Sequence, residues 1–418
     1  MVTNHNNEIP EGFKMTELGL LPEEWEVLRL GRIAEVKYGK ANPKDDGQIP
    51  VVGSGGVFSG TSIPLVDYPT IVIGRKGTAG KVWLFLSPCY PSDTTFYLQW
   101  KSNIDVTFLF AFMLLNPLSG EHAKTTLPSL QKPYLENMIV PLPPILEQRT
   151  IAYVLSTIQR AIEAQDKLIA AARELKKSLM RHLFTYGPVP LSEAEHVPLK
   201  ETDIGPLPEH WEVVQLENLM KLRTENVLPK NVPDMRYVGL EHMDTGEMKL
   251  QRWGTTEEVR SAKSRFYQED ILYGKLRPYL DKAALAEWEG VCSTDILVFT
   301  PDRDTALPDY LSGLLHTKRF VEHAISTTSG VNHPRTSWSS IKSFAAPYPP
   351  LPEQQEIASI LSTVDKKIET EQNRKASLQT LFETMLHQLM TGKVRVKELS
   401  LTENMNKIDN NNSSGAYK

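Results

Sequence analysis

The chain contains the same order of motifs twice, and this duplication limits its folds more than any other feature. Leu21-Pro22-Glu23-Glu24-Trp25-Glu26-Val27 returns as Leu207-Pro208-Glu209-His210-Trp211-Glu212-Val213, inside an ungapped match that starts at Thr16 and Thr202, an offset of 186 residues. Pro141-Leu142-Pro143-Pro144-Ile145-Leu146-Glu147-Gln148 returns as Pro347-Tyr348-Pro349-Pro350-Leu351-Pro352-Glu353-Gln354 at an offset of 206. The second match continues through Ile151-Ala152 with Ile357-Ala358 and Leu155-Ser156-Thr157 with Leu361-Ser362-Thr363. Each half is therefore an entry motif, a variable body, a proline boundary and a following segment. The two offsets make the second body 20 residues longer.

Prolines ahead of Glu and Gln mark a helix start after Pro144 and after Pro350. Apolar residues then recur at Ile151, Leu155, Ile158, Ile162, Ile169, Ala172, Leu175, Leu179 and Leu183. The second half matches them with Ile357, Leu361, Val364, Ile368, Lys375, Leu378, Leu381, Met385 and Leu389, all apolar except Lys375. The spacing is that of a coiled-coil seam. Each helix spans about 40 residues and hence ~60 Å. Two arrangements are open: each helix packed on its own body, or the two paired with one another. Matched stripes favour an antiparallel pair.

The bodies read as mixed α/β. Strands are expected at 70–73 and 81–85 around a turn at 74–80, and at 270–273 and 283–286 around a turn at 274–281. Buried helices are expected at 108–115 and 310–315. The organisation expected is a disordered N-terminus 1–15, a first body 16–143, a first long helix 144–185, a Pro/Gly-rich linker 186–201, a second body 202–349, a second long helix 350–391 and a disordered polar tail 392–418. The fold class is α/β: two mixed α/β domains joined by two long antiparallel coiled-coil helices, with a pseudo-two-fold internal duplication.

Composition narrows the classes. Charged residues make up 23% and the net charge is −5, so the chain is no polycation and any nucleic-acid contact must come from local patches. The two cysteines, Cys89 and Cys292, lie in separate halves and read as reduced, buried thiols of a cytoplasmic protein. The longest apolar run, 108–115, is far short of the ~18–20 residues that span a bilayer. The polar N-terminus lacks the apolar stretch of a signal peptide.

Candidate contacts sit on the glycine-led turns. Gly74-Arg75-Lys76-Gly77-Thr78-Ala79-Gly80-Lys81 and Gly274-Lys275-Leu276-Arg277-Pro278-Tyr279-Leu280-Asp281-Lys282 each place cations between strands. Arg75, Lys76, Lys81, Lys275, Arg277 and Lys282 suit phosphate contact, and a guanidinium can also read a guanine edge. A solvated charged hairpin has the same composition. Ser92-Asp93-Thr94 and Ser293-Thr294-Asp295 follow the turns, and either cap helices or orient the turn. The stretch 329–338 supplies Asn332, His333 and Arg335, base-reading types beside Trp338; its counterpart in the first body is 124–132. A polar loop that merely packs Trp338 is the other reading.

Catalytic signals are few: there is no amino-methyltransferase Asn/Asp-Pro-Pro-Tyr/Phe motif, no HExxH and no zinc-type spacing. Asp234, Glu247 and Lys249 are the residue types of a metal-dependent nuclease, in a loose pattern. Two further functions stay open beside DNA recognition: that nuclease, and a scaffold that joins partners without touching DNA.

The full set of motifs, with Leu389-Met390-Thr391-Gly392-Lys393-Val394 at the end of the second helix, resembles the specificity subunit of type I restriction-modification systems over about residues 16–397. The resemblance implies a non-catalytic, cytoplasmic subunit whose bodies are target recognition domains, each reading half of a split target in double-stranded DNA. It implies that the helices set the spacing. Its implied partners are two copies of a modification subunit, carrying S-adenosylmethionine for N6-adenine methylation, and restriction subunits that use ATP and Mg2+. No cofactor or metal is expected on this chain.

Overall fold

A computed structural model describes residues 9–118, 129–330 and 332–396. The chain divides into two compact units, Met1–Asp166 with Asn373–Lys418, and Lys167–Gln372. Each unit takes part of both long helices, Ile145–Tyr186 and Leu351–Met390.

The first unit is built on a four-stranded antiparallel sheet in the order Ala34–Tyr38, Thr95–Trp100, Thr70–Gly74, Val82–Phe85. A three-stranded sheet stands beside it, in the order Gly56–Thr61, Ile49–Gly53, Tyr90–Pro91, and its last pair is parallel. The second unit repeats the four-stranded plan with Met220–Leu222, Ile296–Pro301, Ile271–Gly274 and Ala283–Leu285. Its other sheet has five strands, gaining Asn226–Val227 and Lys263–Phe266, where part of the longer second body goes. The expected helices form as Val106–Leu115 and Pro308–Leu315.

The repeated motifs make the same bonds in each unit. Trp25 and Trp211 are fully buried, and their indole N–H groups donate to Glu147 at 3.1 Å and Glu353 at 2.8 Å. Arg395 closes on the Glu147 carboxylate, while His210 sits on Glu353. The side-chain amides of Gln148 and Gln354 donate to the carbonyls of Pro143 and Pro349. Their oxygens accept from the backbone N–H of Asp105 and Leu307, the residues that open the helices Val106–Leu115 and Pro308–Leu315. The glycine after each long helix, Gly187 and Gly392, has positive φ and lies against Trp211 or Trp25.

Several expectations need correction. Residues 13–15 belong to no disordered arm: Phe13–Thr16 pairs with Gly19–Pro22 in an entry hairpin. The stretch 186–201 is more than a linker, because Leu199–Lys200 pairs with Leu207–Pro208 in the matching hairpin. Lys14 and Lys200 secure the two hairpins by donating to the carbonyls of Glu23 and Glu209. Residues 392–396 are held to the first unit through Gly392 on Pro22 and Arg395 on Glu24 and Glu147, so the tail assignment fails there; residues 1–8 and 397–418 lie outside the described residues.

Two positions of the expected seam also fail, because Leu175 is 53% exposed and Leu381 44%. At about 100° per residue, Leu175 lies about 120° round its helix from Ile151, whereas Lys176 is only about 20° away. Lys176 is accordingly buried, bonding Asp365 at 2.6 Å, and Phe382 takes the matching place in the first unit's core.

Candidate nucleic-acid interface

In each unit three chain segments converge on one cationic turn. In the first, the backbone N–H groups of Arg75 and Lys76 donate to the carbonyl of Thr94 at 2.9 and 3.2 Å, and Leu130 N–H donates to the carbonyl of Arg75 at 2.8 Å. In the second, Lys275 N–H donates to Asp295 at 3.0 Å, and Thr336 N–H donates to the carbonyl of Lys275 at 3.0 Å. The turns close identically, Gly74 N–H on Lys81 and Gly274 N–H on Lys282, both at 2.8 Å. The Ser/Thr-Asp steps therefore orient the turns.

The side chains differ in how free they are. The Arg75 guanidinium lies over the rings of Tyr38 and Phe96 at 5.3 and 5.8 Å and donates to the carbonyl of Asp93 at 2.6 Å. Its Nε is buried without a hydrogen-bond partner among the described residues. Lys76 is exposed and has no ion pair among the described residues. Lys81 is exposed, its ammonium 5.6 Å from the ring of Trp83. In the second unit Lys282 is tied to the carbonyl of Leu240 at 2.6 Å, which removes it from the exposed set. Lys275 is half-buried and Arg277 exposed, and neither has an ion pair among the described residues.

Arg277 and Asp281 bracket the short turn Pro278–Leu280 with φ of 54° and 47°. The left-handed region is costly for such residues and persists only where neighbours enforce it. Here Arg277 N–H is bound to the carbonyl of Pro334 at 2.8 Å, and Asp281 accepts from His316 at 2.7 Å. The loop that carries Asn332, His333 and Arg335 is thereby bridged to the turn. Arg335 pairs with Ser329 through its backbone and grips Asp295 through its guanidinium at 3.0 and 3.4 Å. That contact raises the Arg335 pKa further. Asn332 and His333 are exposed. Residues 124–128 of the first body's counterpart, and Val331, lie outside the described residues.

The sequence reading missed the aromatic partners. Trp83 follows Lys81 by two positions, so strand alternation was an available signal. Tyr38 and Phe96 come from distant strands, and no local pattern announces them. The same holds for Arg236 on the second unit's five-stranded sheet, whose guanidinium sits 4.5 Å from the ring of Trp253 and 4.8 Å from that of Trp288.

The nuclease residues do not assemble. Glu247 is paired with Arg173 at 2.9 Å, Lys249 with Glu287 at 2.7 Å, and Asp234 sits in a turn with φ of 56°. Both cysteines are free and buried, and burial raises their thiols, Cys89 to about 12. No helix among the described residues is long and apolar enough to cross a membrane.

Comparison with known proteins identifies the family. A family model described as the type I restriction modification DNA specificity domain matches residues 22–172 and 208–380. The chain is 25% identical over 420 residues to the type I restriction enzyme MjaVIII specificity subunit of Methanocaldococcus jannaschii, covering 93% of this chain and 97% of that protein. It is 22% identical over 429 residues to the EcoDI specificity subunit of Escherichia coli, covering 95% and 94%. The crystal structure of a type I restriction-modification S subunit from M. genitalium shares the fold, with a TM-score of 0.59 at 15% identity over 87% of this chain and 96% of that one. With two matched stretches covering most of its length, each containing one three-segment cationic turn, the chain belongs to the DNA specificity subunits of type I restriction-modification systems.

Proposed function

We propose that each body reads one half of a split, asymmetric target in double-stranded DNA, and that the two long helices pair as an antiparallel spacer between the halves, related by a pseudo-two-fold. One observation carries this reading: a single main-chain frame recurs around unlike side chains, Arg75, Lys76 and Lys81 in one body and Lys275, Arg277 and Lys282 in the other. A constant frame with different side chains is what two different half-sites require. The helix pairing is supported inside each unit by an ion pair from one long helix to the other, Lys375 to Asp166 and Lys176 to Asp365, both at 2.6 Å.

In this reading Lys76, Lys81, Lys275, Arg277, Asn332 and His333 touch DNA, while Arg75, Lys282 and Arg335 hold the loops that present them. A duplicated scaffold offers two like surfaces, which suits two copies of a modification subunit. N6-adenine methylation with S-adenosylmethionine, and cleavage driven by ATP and Mg2+, belong to the modification and restriction partners in the cytoplasm. This chain supplies the address.

The test is a genome-wide map of N6-methyladenine in a methylation-free strain expressing the chain with its modification subunit. Wild type yields a split motif. K275A/R277A degrades one half and leaves the other intact, and K76A/K81A does the converse. Unchanged motifs in both variants refute the assignment of the turns. Methylation that is independent of this chain refutes the function.

A further inference from the structure

A cleft of about 900 Å³ opens in the second unit between the end of the first long helix and the helix Lys318–Ser326. Four cations line it, Lys177 and Arg181 from the long helix and Lys318 and Arg319 from the short one. Two are already answered, Lys177 by Glu174 at 2.8 Å and Lys318 by Glu322 at 3.6 Å. The remaining acid on the wall, Asp281, is engaged by His316. Arg181 and Arg319 have neither an ion pair nor a side-chain hydrogen bond among the described residues.

Arg181 is exposed. Arg319 is half-buried against the entry hairpin turn, where a Cβ built on Gly205 would lie 3.5 Å from its guanidinium. Desolvation lowers its pKa with no carboxylate to offset it. A guanidinium partly withdrawn from water with no counter-charge carries a cost that an anion would relieve. The position of the cleft selects the anion. Asp281 lines it and also closes the turn that bears Lys275 and Arg277, so the cleft adjoins the cationic surface of the second body.

We infer that Arg181 and Arg319 grip backbone phosphates of the duplex beside the half-site read by the second body, adding affinity without sequence preference. Planar guanidinium forks suit phosphate oxygens. The inference rests on the recognition reading above, and binding of the wild-type complex to its mapped target tests that reading first, before any variant is made.

The experiment measures the affinity of the assembled modification complex for a duplex carrying its mapped target, from 50 to 200 mM KCl. Each phosphate contact contributes about 0.9 to the slope of log K against log salt. R181Q/R319Q should flatten the slope by about 1.8 and weaken binding about ten- to thirty-fold at 150 mM. R181K/R319K should retain most of the slope, and the methylation motif should be that of wild type in both. R181Q alone changes an exposed side chain and should flatten the slope by about 0.9, which preserves the test if the double variant misfolds. An unchanged slope, or an altered motif, overturns the inference. So does calorimetric binding of ATP to the wild-type chain that R181Q/R319Q abolishes, because it would assign the cleft to a free nucleotide.

Discussion

Replacing Arg395 by alanine should destabilise the first unit far more than a change so near the C-terminal end of the described chain suggests. Arg395 reaches the Glu147 carboxylate with Nε at 2.7 Å and a terminal nitrogen at 2.9 Å, and Glu24 at 2.7 Å. The Glu147 side chain is 5% exposed, and its other donor is the Trp25 indole. Without Arg395 a buried carboxylate keeps one neutral partner. Breaking a buried pair from one side costs about 3–5 kcal/mol. Arg395 retains 20% exposure, so water can partly replace it and the lower end, about 3 kcal/mol, applies. For a unit of this size the melting temperature should fall by roughly 6–12 °C. Differential scanning calorimetry of wild type, R395A, E147Q and R395A/E147Q measures this. The double variant removes the stranded charge and should recover to a loss of about 1–2 kcal/mol. If R395A is as mild as the double variant, or costs less than about 1 kcal/mol, the account of this latch is wrong.

Gly392→Ala should destabilise the same unit by at least 1–2 kcal/mol, as roughly expected for a left-handed glycine, because its φ is 65° and a Cβ would meet the Pro22 ring at 2.5 Å; chemical denaturation with an unaltered midpoint would refute this. The two thiols should resist an aromatic disulfide reagent at pH 8 in the native state and both react after denaturation, and fast native labelling would contradict their burial. Asp45 is held down to about 2 by hydrogen bonds from Ser62 and Thr61. Its contribution is present above the ordinary carboxylate value and is lost as pH falls toward 2, so the Ser62 amide shift should titrate near 2 and not in D45N. A midpoint near 4 would dismiss the tether.

Much of this architecture was legible because its signals are local. Prolines ahead of Glu147-Gln148 and Glu353-Gln354 mark the helix starts, and the glycine-led turns fall between the strands that periodicity expects. The entry hairpins were missed although their pairing is local, and the larger failures come from helix geometry and long-range partners. Leu175 falls one place short of the seven-residue series 155, 162, 169, 176, 183, so the buried position goes to Lys176, whose charge is met by Asp365 and the Gly246 carbonyl. Residues 392–396 look like tail until Glu147 and Trp25, hundreds of positions earlier, give them something to bind. At the cationic turns the charges were visible and their restraint was not. Arg75 over Tyr38 and Phe96, and Lys282 on the Leu240 carbonyl, are contacts between segments far apart in the sequence that no spacing encodes.

The glutamine clamps bear on how such a chain can diversify. Among the described residues, the side-chain hydrogen bonds of Gln148 and Gln354 to the variable bodies go to main-chain groups, the N–H of Asp105 in one and, in the other, the N–H of Leu307 and the carbonyl of Thr305. Aspartate and leucine share no side-chain chemistry, yet the contact is the same. A joint of this kind is indifferent to the residues on the far side of it. Recombination that exchanges a whole body between relatives would therefore meet no compatibility barrier at this joint, provided the incoming body opens a helix at the same point. The scaffold can stay fixed while the bodies drift, because every amino acid except proline offers the same amide hydrogen.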